Sequence, residues 1–154
     1  MKTDLELLTL AAKAIGLVGD AQDNFYLHLG DKGPVCAFVS DDEEIWCPLH
    51  DDGDAFRLKV KLRLDIHFEM SGIGMDSPIV EVIDMSEYEE NEGVFCSMED
   101  CTADPYAATR RAIVRAAAHI GEAMSNQLRT VAIDQSDAIE QYMGFPDERL
   151  WDQK

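Results

Sequence analysis

Positions 64 to 109 form an unbroken run without lysine or arginine, yet twelve carboxylates fall within it: Asp65, Glu69, Asp76, Glu81, Asp84, Glu87, Glu89, Glu90, Glu92, Glu99, Asp100 and Asp104. They carry −12 of the formal charge of −18, which leaves −6 on everything else. An ionised carboxylate is buried at prohibitive cost unless it is paired, so whatever the chain folds into must present this acidity as a localised surface or lobe. A field of that kind repels nucleic acid and attracts basic protein surfaces, including those that hold phosphate backbones.

The rest of the composition supports an ordinary folded domain. With 154 residues and 46% hydrophobic content the chain can bury one core. Apolar residues recur periodically throughout, unlike those of a disordered acidic polymer. No apolar run reaches membrane-spanning length, and the Met-Lys-Thr-Asp start has no apolar signal core; the expected location is cytoplasmic. Cys36, Cys47, Cys96 and Cys101 show no CxxC spacing and are expected to stay as thiols, with a Cys96–Cys101 approach as a minor alternative.

Local signals place the elements. Thr3-Asp4-Leu5-Glu6 fits a capping box, Leu5, Leu8, Ala12 and Ile15 follow at helical spacing, and Gly16 offers a stop, so a helix is expected over about 4 to 15. Phe25, Leu27 and Leu29, the turn residues 30 to 34, then Val35, Ala37 and Val39 read as a hairpin. Pro48 keeps the Ile45 segment out of a central strand. From Phe56 to Met70 apolar and polar residues alternate, which by pattern alone argues one long strand; the N-cap cluster Asp51-Asp52-Gly53-Asp54 argues a helix start instead. Further strands are expected at Ile79–Ile83 and Val94–Ser97, linked by a solvated acidic turn over Met85–Gly93. Asp104-Pro105 opens a long helix over about 105 to 125, with Tyr106, Ile113, Ala117, Ile120 and Met124 as its core stripe. A shorter helix is expected near Ser136–Met143.

Three segments together, Leu5 to Ala14, Trp46 to Leu58 and Asp104 to Ala117, resemble small uncharacterised proteins encoded by bacteriophages and prophages of Gram-negative bacteria. The resemblance covers most of residues 1 to 125 and implies an α-β-α layered domain, with residues 53 to 63 helical and 64 to 70 a strand. It supplies no reaction. It also implies that Ser71–Asp100 and the tail beyond Asn126 are additions to a common scaffold. The expected fold is α+β, mainly an antiparallel sheet of about four to five strands with helices packed on it. One domain would span 1–125 with an acidic region at 71–100, and a 126–154 extension would dock on the core.

Chemistry-bearing motifs are sparse. His50, Asp51, Asp52 and Asp54 are the one dense set of hard-metal ligands, and helix capping explains the same residues. His67 and His119 read as packing or surface histidines, and Arg57, Lys59, Lys61 and Arg63 as cations that neutralise or anchor nearby acids. No phosphate loop or nucleophile elbow is present, and no cofactor, metal or catalytic residue is expected. The expected function is a non-enzymatic phage accessory protein that binds a basic host protein and inhibits a nucleic-acid-handling defence system, in the manner of an anti-CRISPR or nucleic-acid mimic. Its partner surface would be Glu87, Glu89, Glu90, Glu92, Glu99 and Asp100. Two alternatives remain: a self-associating module with Met143, Phe145 and Trp151 in a homodimer contact, and a metal-dependent hydrolase built on Asp51, Asp52 and Asp54.

Overall fold

The computed structural model describes residues 2–25, 34–70, 78–85 and 94–142. The first helix, α1 (Asp4–Ala14), begins at the expected capping box: Thr3 Oγ accepts from the Glu6 amide at 3.3 Å, and Glu6 Oε2 accepts from the Thr3 amide at 2.7 Å. These bonds hold the Glu6 carboxyl below its ordinary range. The helix ends at Ile15 with Gly16 in the left-handed region at φ 72°. There the Leu17 amide donates to the Ala12 carbonyl and the Gly16 amide to the Lys13 carbonyl.

Strands β1 (Gly19–Phe25), β2 (Val35–Ser40) and β3 (Ile45–Trp46) form an antiparallel sheet in the order β1-β2-β3. The expected hairpin is present as the β1–β2 pair, with β1 set earlier in the chain than Phe25–Leu29; Tyr26–Leu29 lie outside the described residues. Pro48 follows a two-residue edge strand, as its missing amide demands. Phe38 and Trp46, directly opposite across β2 and β3, meet edge to face with ring centroids 6.2 Å apart.

The alternating segment resolves into helix α2 (Asp52–Lys61) and strand β4 (Leu64–Met70). The period-two reading of 56 to 63 as strand is therefore corrected, and the helix-then-strand reading holds. The N-cap decides it. Asp51 Oδ1 accepts from the Asp54 amide at 2.8 Å, acids occupy the first turn, and Lys59 and Lys61 occupy the last. Only Asp54, Ala55 and Leu58 are buried on this helix, whereas Phe56 and Val60 remain 63% and 59% exposed, so half of the apparent alternation is solvent-facing.

Strands β5 (Pro78–Asp84) and β6 (Val94–Asp100) join β4 in a second antiparallel sheet, ordered β4-β5-β6, with a bulge between Val82 and Ile83 in the β5–β6 register. The fold is α+β with antiparallel strands. The described strands divide into two sheets of three, so the single sheet of four to five strands is refined by the short β3 edge and the helix that separates it from β4.

Helix α3 (Pro105–Tyr142) starts where expected, with Asp104 Oδ1 accepting from the Tyr106 and Ala107 amides, each at 3.0 Å. It continues well past residue 125 and absorbs the helical segment expected near Ser136. The chain divides into two compact units, Met1–Glu122 and Ala123–Lys154. In the first unit one buried cluster joins Leu7, Leu8, Ala11 and Ala12 of α1 to Phe38, Trp46, Leu58, Val80 and Val82 and to the alanine-rich face of α3. Ile113 and Ala117 belong to that core as expected. Tyr106, at 72% exposure, does not, because the stripe outruns the core at its first residue; Met124, 43% exposed, falls in the second unit.

Candidate functional site

Register fixes which acids of the second sheet share a face. Leu64, Val80, Val82 and Ser97 are buried on one side, where Ser97 Oγ donates to the Ala112 carbonyl of α3 at 2.8 Å. Side chains alternate across a strand, so the opposite side carries Asp65, His67 and Glu69 of β4, Ile79, Glu81 and Ile83 of β5, and Met98 and Asp100 of β6. His67 lies opposite Glu81, which lies opposite Met98; Glu69 lies opposite Ile79, which lies opposite Asp100. This is an outward sheet face of four carboxylates interleaved with three apolar side chains, with His67 as its one ionisable base. His67 Nε2 stands 3.3 Å from Asp65 Oδ2.

Apart from Arg115, the described arginine and lysine side-chain contacts are made away from the acidic segment. Arg110 Nη1 reaches Asp52 at 2.5 Å and its Nε donates to the Leu49 carbonyl, tying α3 to α2. Arg111 reaches Asp4 of α1 at 2.7 Å, Lys2 reaches Glu122 at 2.7 Å, and Arg57 reaches Asp54 at 2.6 Å. Lys61 donates to the Ile15 carbonyl at the end of α1, at 2.8 Å. All of these contacts end outside positions 64 to 109. The Arg57 and Lys61 contacts tie down their own helix and α1, so they do not reach the acidic segment.

The six acids expected to form the partner surface fall into three groups. Glu87, Glu89, Glu90 and Glu92 lie outside the described residues. Glu99 takes the inward-facing phase of β6, where Arg115 Nη1 meets its Oε1 at 2.5 Å and binds strand to helix. Asp100, one residue on, faces outward and accepts from the Thr102 amide at 2.7 Å and from its hydroxyl, bonds that hold its carboxyl below the ordinary range. Sequence reasoning did not bring Asp65, Glu69 and Glu81 together as a face. The signal was available in the matched alternation of 65, 67, 69 with 79, 81, 83, but the pairing of those strands was not.

The potential metal ligands have separate structural tasks. Asp51 caps α2, Asp52 pairs with Arg110, and the buried Asp54 accepts from the Cys47 amide at 2.7 Å. Among the described residues no group of three or more His, Cys, Asp or Glu could hold a metal ion. Cys36, Cys47 and Cys101 are free thiols, each raised above the ordinary range chiefly by burial. Among the described residues no helix is long and apolar enough to cross a membrane. Compared with protein-family models, curated proteins and solved structures, the chain matches none.

Proposed function

We propose that this chain acts by binding and not by catalysis, and that its acidic sheet face occupies a basic surface of a bacterial nucleic-acid-handling protein, displacing the nucleic acid. The observation that carries the reading is the face just described: Asp65, Glu69, Glu81 and Asp100 surround Ile79, Ile83 and Met98 on one face of β4-β5-β6, while the one arginine paired to this sheet, Arg115, meets Glu99 on the opposite face, and the other described arginine and lysine ion pairs lie outside the sheet. Carboxylates around an apolar centre suit a phosphate-binding surface, whose arginines and lysines carry apolar stems beneath charged heads. Each exposed charge pair contributes only ~0–1 kcal/mol, so the gain lies in fast, salt-sensitive association. The resemblance of three segments to phage-encoded proteins supplies the setting, an inhibitor of a host defence complex.

The test is affinity capture from a bacterial lysate on the immobilised protein, across a salt series and with duplex DNA as competitor. A captured nucleic-acid-binding protein that is released by salt and by DNA, and is lost to an Asp65→Asn, Glu69→Gln, Glu81→Gln variant that still folds, supports the reading. Equal capture by that variant at physiological ionic strength overturns it.

A further inference from the structure

A second concave site, independent of the acidic face, opens in the first unit between the end of α1, the β2–β3 connection and α2. It encloses about 480 Å³, within the ~300–1,000 Å³ typical of small-ligand pockets. Its apolar lining comes from Leu17 after α1, Ile45 and Trp46 of β3, and Leu58 of α2. Trp46 packs edge to face against Phe38, and Ile45, on the alternate phase of the same strand, is 47% exposed.

The polar groups are arranged unevenly around this lining. Arg57 and Lys61 stand one turn apart on α2 and form a cationic wall. Each is anchored by one bond, Arg57 to the buried Asp54 and Lys61 to the Ile15 carbonyl. A guanidinium has five N–H donors and an ammonium three, so both retain donors after those bonds. Asp54 is itself engaged by the Cys47 amide and by Arg57, so it acts as the support of the wall. Glu44 lines the cleft from the β2–β3 connection, opposite the cationic wall.

We infer that this cleft binds a small amphipathic carboxylate, with its aromatic or branched apolar body against Trp46, Ile45, Leu17 and Leu58 and its carboxylate on Arg57 and Lys61. Glu44 repels an anion from its own side and so orients the ligand toward α2. The lining holds two cations and two carboxylates, with Asp54 already engaged by Arg57 and Glu44 on the opposite side, so the anion-attracting position is confined to the Arg57–Lys61 wall of α2. Charge-assisted bonds to a carboxylate are the strong kind, and the bonds that already hold Arg57 and Lys61 lower the cost of ordering them around a ligand.

Trp46 provides the readout once Trp151 is changed to Phe, since the chain has two tryptophans. Three probes share a phenyl body: 3-phenylpropionate, phenylalanine and phenethylamine. The carboxylate-bearing pair are expected to change Trp46 fluorescence saturably and to raise the melting temperature, and phenethylamine to do neither. Arg57→Gln with Lys61→Gln should weaken the two carboxylates by about tenfold or more, with Arg57→Lys restoring part of the loss. If the double variant fails to fold, Ile45→Glu, on an exposed rim position, adds a further carboxylate to the cleft beside Glu44 and should abolish binding alone. Phenethylamine binding as tightly as the acids, or no saturable change with any probe up to about 10 mM, overturns the inference.

Discussion

Gly121 of α3 lies against Leu10 of α1 so closely that a β-carbon at 121 would stand 2.0 Å from the Leu10 carbonyl oxygen and 3.2 Å from the Ala14 amide nitrogen. The obstructing atoms belong to a helix backbone, which cannot rotate away as a flexible side chain could. Alanine is favoured over glycine by ~1 kcal/mol in a helix interior, and here that gain is overwhelmed. Gly121→Ala is expected to destabilise the protein by roughly 2 kcal/mol or more through overpacking, read as a lower urea midpoint. A variant as stable as the parent would show that the two helices do not cross at this distance.

Arg63 occupies at α2 the position that Gly16 occupies at α1. Both follow the C-cap residue, both have positive φ, 54° and 72°, and both amides donate back into the last helical turn. An L-residue with a β-carbon carries a cost of ~1–2 kcal/mol in this region, partly offset because glycine loses more chain entropy on folding. Arg63→Gly is therefore expected to stabilise by about 0.5–1 kcal/mol, while Arg63→Ala, which keeps the strain, should be nearly neutral. Paired thermal melts of the two variants check this; equal melting temperatures would contradict it.

Much of this local grammar was legible from residue order. The Thr3–Glu6 capping box, the Gly16 stop, the Asp104-Pro105 start of α3 and the strands around Val80 and Phe95 follow from short-range chemistry that needs no tertiary partner. The segment after Asp51 was ambiguous because Phe56 and Val60 mimic strand alternation while remaining mostly exposed, and a pattern cannot report which apolar residues remain in water. The same ignorance of pairing hid the acidic face. Glu99 and Asp100 are neighbours of identical charge type, yet strand phase sends one inward to Arg115 and the other outward. The cleft beside Trp46 was equally invisible, since it joins residues from Ile15 to Lys61 that only the folded arrangement assembles.

Asp54 connects α2 to the chain after β3, accepting from the Cys47 amide at 2.7 Å and from Arg57 at 2.6 Å while nearly buried. Asp54→Ala leaves the buried Cys47 amide without its acceptor, a loss of ~1–3 kcal/mol. Asp54→Asn keeps an acceptor oxygen and should cost less. Arg57→Ala removes a partner whose side chain is 71% exposed and should cost at most about 1 kcal/mol. The expected order of chemical-denaturation midpoints is therefore parent, Arg57→Ala, then Asp54→Ala. A reversed order of the two alanine variants would mean that the ion pair, and not the amide, is what Asp54 serves.

Cys47 makes the protein sensitive to alkali in a defined direction. Burial, reinforced by the charges of Asp54 and Asp51, pushes its thiol from an ordinary value of 9.0 up to about 11, and its Sγ donates to the Cys36 carbonyl at 3.3 Å. Because the folded value lies above the unfolded one, the folded chain holds this proton more tightly. The associated stability is fully present below pH 9 and is lost as pH rises toward 11, where the unfolded thiolate forms first. Cys36 is raised to about 11 in the same way, by burial and by its bond to Asp23, and adds to the slope. Unfolding midpoints measured between pH 8 and 10.5 should fall with pH in the parent. The fall should be shallower in Cys47→Ser, which retains a donor for the Cys36 carbonyl without a group that titrates in this range. Identical slopes for parent and variant would assign the alkaline loss to other groups.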